Sequence, residues 1–115
     1  MINNRLRIAF AGTPKFAATH LEALISSEHH LVGVFSQPDR RGQRGNKLQQ
    51  SPVKKLALAN NIPTHQPHSM NEPEAAQTLL TLNPDVLIVV AYGLIVPQQI
   101  LNIPNFGCLN VHGSI

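Results

Sequence analysis

Six consecutive apolar residues, Val86-Leu87-Ile88-Val89-Val90-Ala91, limit the possible folds of this chain more than any other stretch. Their side chains do not alternate with polar ones. A strand that is apolar on both faces belongs in the middle of a parallel sheet with helices covering each side. Pro84 stops whatever precedes it, and Tyr92-Gly93 ends it.

The rest of the chain supplies the units such a sheet needs. Residues 7–11 form a short apolar run, read as a first buried strand stopped by Gly12. Thr13 is suited to cap a helix and Pro14 to open it, with Phe16, Ala17, His20, Leu21, Leu24 and Ile25 on one stripe. Residues 31–36 read as a second strand, where Gly33 is expected to admit another backbone. Ser51-Pro52 repeats the cap-then-proline start, with Val53, Leu56 and Ala57 inward. A short strand near the sheet edge follows over residues 62–66, ended by Pro67. Asn71 with Glu74 three residues on resembles a capping box opening a helix that runs to about Leu82. A short helix opened by Pro97 leads to a last strand around Cys108 and Asn110, expected to be buried. Alternating strands and helices of this kind predict an α/β fold with an open, mostly parallel, Rossmann-like sheet and helices on both faces.

At 115 residues, 43% apolar and 13% charged, the chain is one globular domain. No apolar run is long enough to span a membrane, and Met1-Ile2-Asn3-Asn4-Arg5 lacks the apolar core of a signal peptide, so a cytoplasmic location is expected. Cys108 is the single cysteine, which excludes an internal disulfide and suits packing. His65 and His68 have metal-like spacing but no third ligand nearby, so no metal is expected. The net charge of +3 is unevenly placed. Between Asp39 and Glu72 there is no acidic residue, while Arg40, Arg41, Arg44, Lys47, Lys54 and Lys55 fall there, six of the nine basic residues. Four of them sit in residues 37–50, a connection without periodicity that is either a solvated loop or an anion-binding one.

Open α/β sheets bind ligands beyond the carboxyl ends of their strands. Gly12-Thr13, the basic loop, Tyr92-Gly93 and His112-Gly113 all fall at that rim. Gly12-Thr13-Pro14 stands where a phosphate loop would, but it lacks the further glycines and the lysine, and reads as a structural turn or a pocket wall. Asn110 and His112 are two residues apart, so on a strand both project to one side. An amide and an imidazole placed together can hold a reacting carbonyl. The alternative is a polar pair satisfied inside the core by neighbouring loops.

Asn110-x-His112-Gly113-Ser114 after such a pattern resembles the start of the signature of the formyltransferases that take a one-carbon unit from 10-formyltetrahydrofolate. The likeness is closest to the branch acting on methionyl-tRNA. It extends, in order, through Phe10-Ala11-Gly12-Thr13-Pro14-x-Phe16-Ala17, Gln37-Pro38-Asp39-Arg40, Ser51-Pro52-Val53-Lys54 and Val89-Val90-Ala91-Tyr92-Gly93. The resemblance implies that Asn110 and His112 stabilise an oxyanion, His112 also helping to move a proton. It implies folate contacts by Ser114, Ile115, Tyr92 and Gly93, and contacts to the acceptor arm of the initiator tRNA by Arg40, Arg41, Arg44 and Lys47. Family members continue through a longer Ser-Leu-Leu-Pro segment, a catalytic aspartate and a β-barrel domain. Residues 1–115 are therefore expected to be the N-terminal part of the catalytic domain of a monomeric enzyme, with little activity by themselves. Two rivals remain: a formyltransferase of the glycinamide ribonucleotide type, which generally lacks the Gly-Thr-Pro turn and the basic insert, and a non-catalytic α/β module binding an anion.

Overall fold

Along β1 (Arg7–Gly12) successive side chains point to opposite faces, and both faces are covered. Ile8 and Phe10 are buried on one side, Ala9 and Ala11 on the other. The structure, a computed structural model, describes residues 4–42, 45 and 47–112. On the Ile8 and Phe10 side lie Ala17 and Leu21 of α1 (Lys15–Ile25) and Val53 and Ala57 of α2 (Pro52–Ala59). On the Ala9 and Ala11 side lie Ala75 and Leu79 of α3 (Pro73–Leu82), Ile100 of α4 (Gln98–Leu101), and Met70 and Tyr92. Fully burying each large apolar side chain is worth about 1.5–3 kcal/mol, so these two layers hold the sheet.

The remaining sheet strands are β2 (His30–Phe35), β5 (Thr64–His65), β6 (Val86–Val90) and β7 (Cys108–Val111). Their order is β5-β2-β1-β6-β7, with every pairing parallel. The apolar run is β6, second from one edge and paired on both sides, as its composition requires. Strands added after β1 go first to one side of it and then to the other, so the order reverses at the β1/β6 junction. Ligand crevices of open α/β sheets lie at that reversal.

Local expectations fail where a distant partner outbids a nearby one. Thr13 does not cap α1; Pro14 holds the cap position without a side-chain bond, and the Thr13 hydroxyl donates to the Tyr92 carbonyl at 2.8 Å. Asn71 is no cap either. Glu72 precedes α3, Pro73 takes its first turn, and no capping-box bond forms. Ser51 does cap α2, accepting from the Lys54 backbone N–H at 3.0 Å. Phe16 leaves the buried stripe, 44% exposed and edge-on to His20. At Gly33 it is the Leu82 side chain, not a backbone, that takes the room a Cβ would need. The connection over residues 37–50 holds regular structure that no periodicity announces: β3 (Arg40–Arg41) and β4 (Leu48–Gln49) pair antiparallel in a short hairpin. The last strand is not buried. β7 is an edge strand with one neighbour, and its Leu109 and Asn110 are exposed.

Candidate active site at the carboxyl rim

Three strand ends meet above the β1/β6 junction, and Thr13 and Gln37 knit them together. The Gln37 backbone N–H donates to Thr13 Oγ1 at 3.3 Å, while Gln37 Nε2 donates to the Tyr92 carbonyl at 2.9 Å, beside the Thr13 bond. The next residue, Gly93, has φ +89, and a Cβ there would lie 1.8 Å from Gln37 Nε2. The backbone angle favours glycine here, and any Cβ would displace the Gln37 amide from the Tyr92 carbonyl. Ala91, just before this turn, also adopts a left-handed conformation at φ 48. Such a backbone costs a residue with a Cβ about 1–2 kcal/mol, and it swings the chain out of the sheet at the rim.

A cleft of about 420 Å³ opens here, walled by Thr13, Gln37, Ala91, Arg40, Gln49 and Ser51. It brings the hairpin to the strand ends. Arg40 donates from its guanidinium to Gln37 Oε1, and Arg40 and Arg41 are exposed on β3. Lys47 is exposed too, and its carbonyl accepts from the Gly42 N–H at 2.8 Å, closing the hairpin. Arg44 lies outside the described residues. Lys54, another of the clustered basic residues, is paired with an acid: its ammonium sits 2.9 and 3.1 Å from the Asp39 carboxylate. That contact first, and the Gln66 amide second, hold the Asp39 carboxyl below its ordinary range.

Asn110 lies across from Val89, on the β7 face that also carries Cys108, whose partner Leu87 belongs to the α3 side of the core. The Val90 and Val111 pair closes the ladder, so His112 begins just where Ala91 turns away. Both Asn110 and His112 are exposed among the described residues rather than paired inside a core. Neither lines the 420 Å³ cleft; they stand one strand further along the same rim. Burial pushes the Cys108 thiol up, as fits a packing residue. Tyr92 is 2% exposed, its ring in the core and its hydroxyl without a partner among the described residues, so at this turn the exposed residue is Gly93. Ser114 and Ile115 lie outside the described residues. Among the described residues no three of His, Cys, Asp and Glu gather into a metal-holding group.

A family model described as formyl transferase matches residues 6–115. The chain belongs to the formyl transferase family. Methionyl-tRNA formyltransferase of Pseudoalteromonas translucida (strain TAC 125) is 62% identical over 110 residues, which is 96% of this chain and 34% of that relative. The chain thus spans about a third of the relative's length. No helix among the described residues is long and apolar enough to cross a membrane.

Thr13 is legible in the sequence as part of a rim turn or pocket wall, and it lines the cleft; the parts played by Gln37 and Ala91 are not legible there. Gln37 stood inside the Gln37-Pro38-Asp39-Arg40 block, but nothing local links it to Tyr92, 55 residues on. Ala91 carries no signal at all, because left-handed backbone is ordinarily announced by glycine or asparagine.

Proposed function

We propose that this chain is the N-terminal part of the catalytic domain of an enzyme that transfers the formyl group of 10-formyltetrahydrofolate to the amino group of initiator methionyl-tRNA. The observation that carries this reading is the exposure of Asn110 and His112 at the carboxyl rim of a sheet whose cleft is walled by Arg40, in a member of the formyl transferase family. The name of the Pseudoalteromonas relative supports the choice of methionyl-tRNA as acceptor.

In this reading the uncharged methionyl amine attacks the formyl carbon. Asn110 and His112 donate hydrogen bonds to the oxygen as it gains negative charge, and His112 relays the proton the amine must lose. The carbon–nitrogen bond to the folate then breaks, and the folate nitrogen takes up a proton, so the charges balance. The folate approaches the exposed Gly93 of the Tyr92-Gly93 turn, and Ser114 and Ile115 are its further contacts. Arg40, Arg41, Arg44 and Lys47 face phosphates of the acceptor arm, which they read as charge and not as sequence. The reaction takes place in the cytoplasm, in a monomer and without a metal.

The test joins this chain to the remaining two thirds of the Pseudoalteromonas relative and follows formylation of methionyl-tRNA. Asn110→Ala and His112→Ala are each expected to lower kcat by about 10²–10³, or 2.7–4 kcal/mol. Thermal unfolding should hardly move, because both side chains are exposed. Full activity in the double variant would remove both residues from the chemistry.

A further inference from the structure

Gln37 touches both halves of the rim, and the two ends of its side-chain amide face different ones. Nε2 donates to the Tyr92 carbonyl at 2.9 Å, filling the space that the missing Gly93 side chain leaves. Oε1 accepts from the Arg40 guanidinium of the hairpin. The rest of the residue is fixed independently. Its backbone N–H is on Thr13 Oγ1, and its carbonyl accepts from Gln66 Nε2 at 3.1 Å. Gln66 also holds Asp39 at 2.7 Å, and Asp39 holds Lys54. The backbone of Gln37 is therefore pinned, and the one link among these that an arriving anion would break is the link to Arg40.

Building on the proposed acceptor reading, we infer that Gln37 is a positioning residue that couples occupancy of the basic hairpin to the geometry of the Tyr92-Gly93 turn beside His112. Without RNA, Arg40 is held by a neutral amide oxygen. A phosphate is the stronger partner for a guanidinium, forming charge-assisted bonds about twice as strong as neutral ones. When Arg40 turns to a phosphate, Gln37 Oε1 loses its donor and the amide is free to rotate about its pinned backbone. The Tyr92 carbonyl then relies on Thr13 alone, and the turn shifts next to the strand end that carries Asn110 and His112. Acceptor binding is thereby felt at the turn before any reacting group arrives.

The experiment titrates the isotope-labelled chain with a short RNA duplex bearing a single-stranded 3′ overhang, following the Arg40 side-chain signal and the Gly93 amide signal by NMR. In the unaltered chain both signals are expected to move and to saturate at the same RNA concentration. In Gln37→Met, which keeps the length and loses the amide, Arg40 still responds while the Gly93 movement falls at least severalfold. Arg40→Ala, at an exposed position, keeps the fold but removes the donor to Gln37 Oε1, so the Gly93 signal should start near its RNA-saturated position and show no further response to RNA. A purely structural Gln37 would move Gly93 in the absence of RNA but would not change its response. If Arg40 responds and Gly93 does not, or if Gly93 responds equally in Gln37→Met, the coupling is wrong and the acceptor reading stands. Failure of Arg40 to respond to RNA overturns both.

Discussion

The centre of the carboxyl rim and its β7 edge are held in opposite ways. At the centre, Thr13, Gln37 and Tyr92 bind the ends of three strands to one another, and the side chains beneath them are buried. At the edge, β7 has a single neighbour among the described residues, and Leu109, Asn110 and His112 are exposed. The centre has its polar groups committed and supplies fixed geometry. The edge keeps its polar groups available, as the proposed chemistry requires. A site spread over both gains rigidity from one and reach from the other, which is how an α/β sheet places reactive groups without destabilising its core.

The sharpest way to break this contrast is to remove equivalent apolar bulk from each side of it. Phe10→Ala, at 0% exposure on β1, is expected to cost about 3–5 kcal/mol in urea unfolding. Leu109→Ala, 55% exposed on β7, should fall within about 0.5 kcal/mol of the parent. Equal losses at the two positions would mean that the edge is as tightly packed as the centre.

Next in size is Gly93→Ala. Its left-handed backbone costs about 1–2 kcal/mol, and displacing the Gln37 amide forfeits hydrogen bonds worth about 1 kcal/mol each. A destabilisation of roughly 3 kcal/mol is expected, read from the urea midpoint. A silent substitution would show that the centre of the rim yields as readily as the edge.

The smallest effect tests the opposite edge, where β5 carries His65. Its Nε2 is buried with no partner among the described residues, its ring packs against Phe35, and burial lowers its pKa below the ordinary 6.5. The folded state thus keeps the imidazole neutral, while the unfolded chain protonates it near 6.5. Its contribution is complete above that value, is lost progressively as pH falls below it, and levels off below the folded pKa. Between about pH 7.5 and about pH 5.5 the urea midpoint should fall more for the parent than for His65→Phe, which keeps the ring contact and cannot titrate. Parallel pH curves would mean that this edge, too, leaves its polar groups open to solvent.

Most of the architecture was legible because burial on two faces leaves a local trace. The unbroken run at β6 requires neighbours on both sides, and the Ser51-Pro52 start of α2 is read within four residues. The rim was legible only in part. Asn110 and His112 stand out because polar residues in an apolar strand need a reason, but the same pattern suggests a buried strand, since sequence does not say which strand lies at a sheet's edge. Thr13 looks like a cap from its neighbours alone, and the hydroxyl goes instead to a carbonyl 79 residues away. The hairpin was missed for another reason: two-residue strands with exposed arginines carry no apolar pattern to detect.

The strand order has a consequence for how the molecule is made. β1 leaves the ribosome first, yet its second neighbour, β6, follows only after the hairpin and three helices have emerged. The amino-end clasp that fixes their register, the Arg7 N–H on Asp85 Oδ2 at 2.9 Å and the Asp85 N–H on the Arg7 carbonyl at 2.8 Å, joins residues 78 apart. At translation rates of about 5–20 residues per second, the nascent chain spends roughly 4–16 s with one side of β1 unpaired. Contacts so distant in sequence also slow spontaneous refolding. Chaperone demand during synthesis should therefore peak before β6 emerges and drop once it docks.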